Sequence, residues 1–304
     1  MAPTRLILDV DTGVDDALAL GYAVAREDVE LLAVSTLAGN IDVVNATENT
    51  RRVMQFIGAG SVLVHQGASR PIARPHRDAS HYHGQNGLGD AQLPESPVPL
   101  GPDRGPAAII RLARQYPGEV VLVAVGPLTN VAIALNVFPE LATTLKRIVI
   151  MGGAYHVPGN VTPHAEFNIW ADPEAAQQVF DTRFNEAIAV GLDVSHQTLL
   201  DRSSWDRAQG RRGPLPHLLS LVCHRSFALR GQADFPLHDP LATAVALNPG
   251  LVQCETGSIT VTTSGEEEGR TVVGTGGDGT WQIATEVDAP RFVGHFLDAY
   301  GLSN

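Results

Sequence analysis

Eleven residues near the start of the chain, Leu6-Ile7-Leu8-Asp9-Val10-Asp11-Thr12-Gly13-Val14-Asp15-Asp16, restrict the fold more than any other stretch. A branched apolar run with the pattern of a buried strand ends in four carboxylates spread over eight positions. The apolar stretch 17–25 that follows has helical character. A strand that feeds a helix through an acidic turn puts those carboxylates at the carboxyl edge of a sheet, where open α/β folds bind ligands. Alternation at period two places Asp9 and Asp11 on one side of the strand end. Asp15 and Asp16 open the helix, where free N–H groups and the macrodipole favour negative charge. One or two acids at such a place make an ordinary helix cap. Four crowded together raise one another's pKa unless a cation neutralises them. A hard divalent ion with oxygen ligands, Ca²⁺ or Mg²⁺, resolves that repulsion.

The same alternation of strand and helix continues along the chain. Strand-like runs fall at 5–10, 31–37, 62–65, 120–125, 148–151 and 187–192, with helical segments at 46–57, 106–116, 130–136 and 173–180 between them. Strands separated by helices predict βαβ units, hence an α/β fold with an open, mostly parallel sheet flanked by helices. Residues 198–248 read as mainly helical. A C-terminal β-hairpin follows at 258–263 and 270–273, its turn carrying Ser264-Gly265-Glu266-Glu267-Glu268-Gly269, three glutamates expected to form a solvated tip. A last strand at 281–287 and a closing helix at 290–300 complete the pattern. No low-complexity linker divides the chain, and 44% hydrophobic content over 304 residues is ample for a large core. A single domain, 1–304, is expected.

Charge and composition narrow the function. A net charge of −12 argues against a nucleic-acid backbone or an anionic membrane surface as partner. Lys146 is the one lysine, which excludes mechanisms that need several. Cys223 and Cys254 have no metal-ligand spacing and read as core thiols of a reducing compartment. The first strand begins almost at once, which leaves no room for a signal peptide, and no apolar run is long enough to span a bilayer. A cytoplasmic protein is the expectation.

Polar groups and glycines recur just after the predicted strands. Gly39-Asn40 follows the second, Val125-Gly126-Pro127-Leu128-Thr129-Asn130 the fourth, and Met151-Gly152-Gly153-Ala154-Tyr155 the fifth. In a parallel sheet these ends share one edge, and glycine lets the backbone turn closely around a ligand. Asn160-Val161-Thr162-Pro163-His164-Ala165-Glu166-Phe167-Asn168 offers amides and a carboxylate suited to sugar hydroxyls, although Asn and Pro are also ordinary turn residues. Asp239 in His238-Asp239-Pro240 is a helix cap by local chemistry alone. Beside an acidic site short of ligands, the same pair supplies a further carboxylate and a proton donor. His81-Tyr82-His83-Gly84-Gln85-Asn86-Gly87-Leu88-Gly89 lacks the ligand spacing of a zinc site and reads as a loop over a cleft.

Asp9-Val10-Asp11-Thr12 after a strand also fits haloacid-dehalogenase phosphatases. Those need a lysine near the phosphate and a late acidic pair, and Gly277-Asp278-Gly279-Thr280 lacks the second acid. The complete set of segments instead resembles the nucleoside hydrolases, nucleoside N-ribohydrolases of the inosine–uridine type. Besides the aspartate cluster, it comprises Ala38-Gly39-Asn40, His83-Gly84, the two strand-end segments from Val125 and Met151, Ala165-Glu166-Phe167-Asn168, Asp172-Pro173-Glu174-Ala175-Ala176 and His238-Asp239-Pro240, in the family order.

The resemblance implies a Rossmann-like core and hydrolysis of the N-glycosidic bond of ribonucleosides. It implies one Ca²⁺ held by Asp11, Asp16, the Val125 carbonyl and Asp239, with Asp11 as general base toward a metal-bound water and His238 as acid for the departing base. Asp15, Asn40 and Asn168 match groups on the ribose hydroxyls, Asn160 and Glu166 contacts to the 5′-hydroxyl, and Met151 and His83 further substrate contacts. Gln85 stands where relatives often carry Glu, and 227–235 lacks the tyrosine some place against the base. Trp170, Trp205 and Trp281 offer no evident indole sandwich, which implies a broad or pyrimidine-leaning base preference. Relatives imply a homodimer or homotetramer. The non-enzymatic alternative is a Ca²⁺-dependent nucleoside- or sugar-binding protein, against which Asp11, Asp16, His238 and Asp239 argue together.

Overall fold

The computed structural model describes residues 2–274 and 281–303. Residues 277–280, weighed above against the phosphatases, lie outside them. Seven strands form the parallel body of the sheet: β1 (Thr4–Val10), β2 (Val29–Thr36), β3 (Val64–Gln66), β4 (Val120–Ala124), β5 (Arg147–Met151), β6 (Ala187–Val190) and, later in the chain, β11 (Trp281–Val287). A short antiparallel pair, β7 (Leu199–Asp201) and β8 (Asp234–Pro236), stands apart. The strands β9 (Val252–Val261) and β10 (Thr271–Gly274) run antiparallel, so the order across the nine-stranded sheet is β10-β9-β11-β6-β5-β4-β1-β2-β3.

Why the strands sit there follows from their side chains. In β1, Leu6, Leu8 and Val10 enter one apolar cluster while Ile7 enters another. A strand buried on both faces needs apolar residues at every position, and Leu6, Ile7 and Leu8 supply them. The helices between strands cover the two faces. Successive strands run outward from β1 to β2 and β3 on one side and from β4 to β6 on the other. The strand order therefore reverses between β1 and β4, and the crevice of a doubly wound sheet opens at the carboxyl ends there.

Residues 198–248 are mainly helical, as expected, with a short strand pair, Leu199–Asp201 and Asp234–Pro236, across the segment and a π-helix at Arg225–Leu229. Two other readings change. The first strand of the hairpin is longer than expected: it spans Val252–Val261 and pairs with β11 as well, which welds it to the main sheet. Its glutamate turn is only partly solvated, for Glu268 bridges Arg74 and Arg77. Of the two thiols, Cys223 is buried and Cys254 half-buried, and both are free. Among the described residues, no helix is long and apolar enough to cross a membrane.

Candidate active site

The helix Val14–Ala25 begins directly after the β1 turn, and its first residues fold back onto that turn. Asp16 accepts from the Gly13 amide at 2.8 Å and from the Asp11 amide at 3.1 Å, which closes the helix end. Its Oδ2 also accepts from the Asn40 side chain at 3.2 Å. Asp11 in turn accepts from the Asn40 amide at 2.6 Å, a charge-assisted bond between the ends of β1 and β2. Gly39 and Gly126 follow β2 and β4 because the Asp11 carboxylate packs against both. A Cβ on Gly39 would collide with Asp11 Oδ2, and one on Gly126 would lie 2.8 Å from Asp11 Oδ1.

From the far end of the chain, the helix His238–Leu247 places Asp239 in its first turn. Asp15, Asp16 and Asp239 each offer a carboxylate oxygen within 4.8 Å of the others, a buried cluster able to bind a metal ion. Asp15, read from the sequence as a ribose ligand, thus sits in the tightest trio. Asp11 adjoins it through Asp16. Asp9 stands outside the cluster, because the strand ends at Val10 and the alternation stops there. Its Oδ1 accepts from Asn130 at 2.8 Å, and burial raises its pKa to about 7.

Burial, then the charge of Asp16, pushes the Asp11 carboxyl well above its ordinary range and that of Asp15 to about 8. Burial lifts Asp16 as well, and burial with the charges of Asp15, Asp16 and Asp11 lifts Asp239. Four buried acids strain against one another. Asp11 Oδ1 and Asp15 Oδ1 are buried with no hydrogen-bond partner. An all-oxygen donor set with unsatisfied lone pairs fits a hard cation and suits zinc poorly.

Above the acids lies a cavity of about 250 Å³. It brings together Asp15, Asn40, His83, Val125, Met151, Asn160, Glu166, Asn168, His238 and Asp239 from the sequence reading, while Asp11 and Asp16 sit beneath its lining. Several of these side chains are already engaged. Asn168 donates to the Val125 carbonyl at 2.8 Å and to the Met151 carbonyl at 3.1 Å, tying β4 and β5 together. Glu166 caps the helix Phe167–Ala171, accepting from the Asn168 amide at 2.8 Å, and reaches the Gly153 amide at 3.0 Å. Asn160 Oδ1 accepts from the Phe167 amide at 3.0 Å.

Two histidines are held neutral. His83 Nδ1 accepts from the Val14 amide at 3.1 Å, so its Nε2 carries the proton. Burial, with the charges of His81 and Arg230, presses its pKa to about 3. His238 Nδ1 lies 2.8 Å from Ser195 Oγ, and burial, with the neighbouring His196 and His83 rings disfavouring a further positive charge, presses this ring to about 3 as well.

Ser195 and His196 were missed by sequence reasoning. They follow β6, so the rule that singled out residues after the second, fourth and fifth strands had only to be applied to the sixth. His196 lines the cavity, its ring 5.5 Å from that of His238. Tyr82 and Phe167 complete the apolar wall. Among the described residues, no tryptophan lines it: Trp281 packs on Phe180 and Phe184, Trp205 stacks on Phe227, and Trp170 lies against Arg77. Lys146 is exposed just before β5, at the opposite edge of the sheet, out of reach for a phosphatase role.

Comparison with known proteins agrees with this geometry. A family model described as inosine-uridine preferring nucleoside hydrolase matches residues 6–294. The inosine-uridine preferring nucleoside hydrolase of Leishmania major is 36% identical over 259 residues, covering 83% of this chain and 82% of that protein. Uridine nucleosidase 1 of Arabidopsis thaliana is 34% identical over 277 residues, covering 90% and 82%. The solved structure of a purine-preferring ribonucleoside hydrolase from Gardnerella vaginalis superposes with a TM-score of 0.92 at 33% identity, covering 98% of this chain and 99% of that one.

Proposed function

The chain belongs to the inosine-uridine preferring nucleoside hydrolase family and hydrolyses the N-glycosyl bond of ribonucleosides, and we propose that it does so with a calcium ion and Asp11 as general base. Neither a pure binding module nor a phosphatase is favoured by these relatives. The observation that carries the finer reading is the pair of buried, partnerless oxygens, Asp11 Oδ1 and Asp15 Oδ1, beside the Asp16–Asp239 contact.

Asp16 and Asp239 would hold the ion, with Asp11 and the Val125 carbonyl as further oxygen donors. The carbonyl already accepts from Asn168, and its second lone pair remains for the ion. When bound, a divalent cation neutralises the crowded carboxylates and acidifies a coordinated water. Asp11 Oδ1 takes the proton of the attacking water, while the Asn40 amide holds Oδ2 and so aims the carboxylate. Asp15, Asn40 and Asn168 grip the ribose hydroxyls, Asn160 and Glu166 the 5′-hydroxyl, and Met151 and His83 pack on the sugar. The carboxylates around the sugar stabilise positive charge as the ring approaches an oxocarbenium ion. Negative charge grows on the departing base. With Ser195 donating to Nδ1, the neutral His238 ring keeps its hydrogen on Nε2 and donates a hydrogen bond from it to the departing base, stabilising the charge that grows there.

A cavity free of tryptophan supports a broad or pyrimidine-leaning base preference. We read residues 1–304 as one catalytic domain, acting in the cytoplasm as a homodimer or homotetramer. Release of reducing sugar from inosine, uridine and cytidine tests the scheme. Turnover should vanish with a chelator, return with Ca²⁺, and be absent from Asp11→Ala. Full turnover in the chelated enzyme would end the metal reading.

A further inference from the structure

The carboxylate of Glu268 has no part in the chemistry above, yet it is the hub of a charge network around the cavity's outer wall. It lies at the end of the β9–β10 turn with its side chain only 20% exposed. Arg74 Nη1 reaches Oε2 at 2.7 Å, and Arg77 Nη1 reaches Oε1 at 2.6 Å. Arg74 also pairs with Glu174 and donates to the Thr263 carbonyl at 2.8 Å. The Arg77 guanidinium sits 4.2 Å from the centre of the Trp170 ring, in the helix that carries Asn168. The turn itself is seated on the same helix. Arg270 bridges to Ala165, and a Cβ on Gly269 would lie 2.8 Å from Trp170 Cα.

From Arg77 the chain runs straight into the cavity wall at Ala79, His81, Tyr82 and His83. The segment before them has no helix or strand between Gln66 and Ser80, so its order depends on tertiary contacts. Those contacts lead to the reacting end of the sheet. His76 Nε2 lies 2.8 Å from the Gly39 carbonyl, and the Ala79 amide donates to the Asn40 carbonyl at 2.9 Å.

We propose that Glu268 is a positioning residue for nucleoside binding: by holding Arg74 and Arg77 together it pins residues 74–83 against the Asn168 helix and completes the cavity's outer wall. This inference rests on reading the cavity as the nucleoside site. None of the three side chains touches the acids or His238, so their loss acts on capture of the nucleoside and leaves bond cleavage alone. Apparent affinity scales with the fraction of molecules whose wall is in place. A wall in place about one tenth of the time raises KM about tenfold with kcat unchanged.

The test compares wild type with Glu268→Gln, which removes the charge and keeps the shape. Expected is a rise in KM for uridine and inosine of about tenfold, with kcat held within about twofold. Calcium affinity should stay near wild type and the thermal midpoint should fall only slightly, as for the loss of a partly exposed ion pair, while amide exchange across residues 76–83 accelerates. Unchanged KM and unchanged exchange would overturn the inference. So would a fall in kcat that tracks a lowered thermal midpoint at constant KM, the mark of general destabilisation. Should Glu268→Gln not fold, Arg77→Gln keeps the Arg74–Glu268 pair and carries the same expectation. If the wild type releases no ribose from either nucleoside, the reading of the cavity fails, and exchange across 76–83 then decides the clamp by itself.

Discussion

Replacing Gly39 with alanine adds one methyl group against the Asp11 carboxylate, and the geometry gives the size of the effect. The new Cβ would collide with Asp11 Oδ2 and lie 2.7 Å from Cδ of the buried Pro127 ring. Asp11 must therefore withdraw by about an ångström, and a misplacement of that order costs a positioned catalytic group roughly 100-fold in rate. That loss corresponds to about 2.7 kcal/mol of barrier. Moving the carboxylate also stretches its 2.6 Å bond from the Asn40 amide, so the defect falls on the general base itself. Overpacking adds a destabilisation of about 1–3 kcal/mol, which lowers the melting temperature by a few degrees and leaves the protein folded at assay temperature. Ribose release from uridine at saturating substrate, alongside a thermal melt, measures both. Gly294→Ala is the control, since a Cβ there meets nothing within 4 Å and the position is helical. It should keep full activity. Wild-type turnover in a folded Gly39→Ala enzyme would refute the argument that the tight β2 turn aims Asp11.

Three further expectations follow from the same site. His238→Ala should impair hydrolysis of inosine more than uridine, and equal losses on both would remove its role at the departing base. Ca²⁺ at about 100 times its dissociation constant should raise stability by about 2.7 kcal/mol over chelated protein, read as a higher midpoint in calorimetry; no shift would contradict binding at the clustered acids. Burial works to raise the Glu268 carboxyl, but the hydrogen bonds and charges of Arg74 and Arg77 outweigh it and hold the group below 4.5. A depressed acid stabilises the fold above its ordinary value and ceases to as pH falls through the folded one. The stability difference between wild type and Glu268→Gln in urea should therefore shrink on going from about pH 6 to about pH 3, and a difference that grows would reverse the assignment.

Much of the frame is legible in the residues themselves. The runs around Leu6–Leu8, Val120–Val123 and Ile148–Ile150 are apolar at every position, which only a strand covered on both faces requires, and each is such a strand. The short strands at Leu199–Asp201 and Asp234–Pro236 are not legible in this way. Three residues carry no periodicity, and their pairing joins positions more than thirty apart in the chain. The glutamate turn misleads for a related reason, because a run of acids is ordinarily solvated and its arginines lie near 190 residues away.

In the site, local chemistry determined that acids gather at a strand end and that Gly39 and Gly126 stand where the backbone must pass close. It also separated out the segments around Asn40, Asn168 and Asp239 that meet in one cavity. Tertiary structure decided which carboxylates face one another. Asp15 and Asp16 are neighbours on a helix, and only the docking of the helix from His238 brings Asp239 to them. It likewise set Ser195 against His238 and Glu268 between two arginines. Burial, contact and charge repulsion act across space, whereas propensity and periodicity act along the chain, so the sequence alone names the participants and the packed fold assigns their partners.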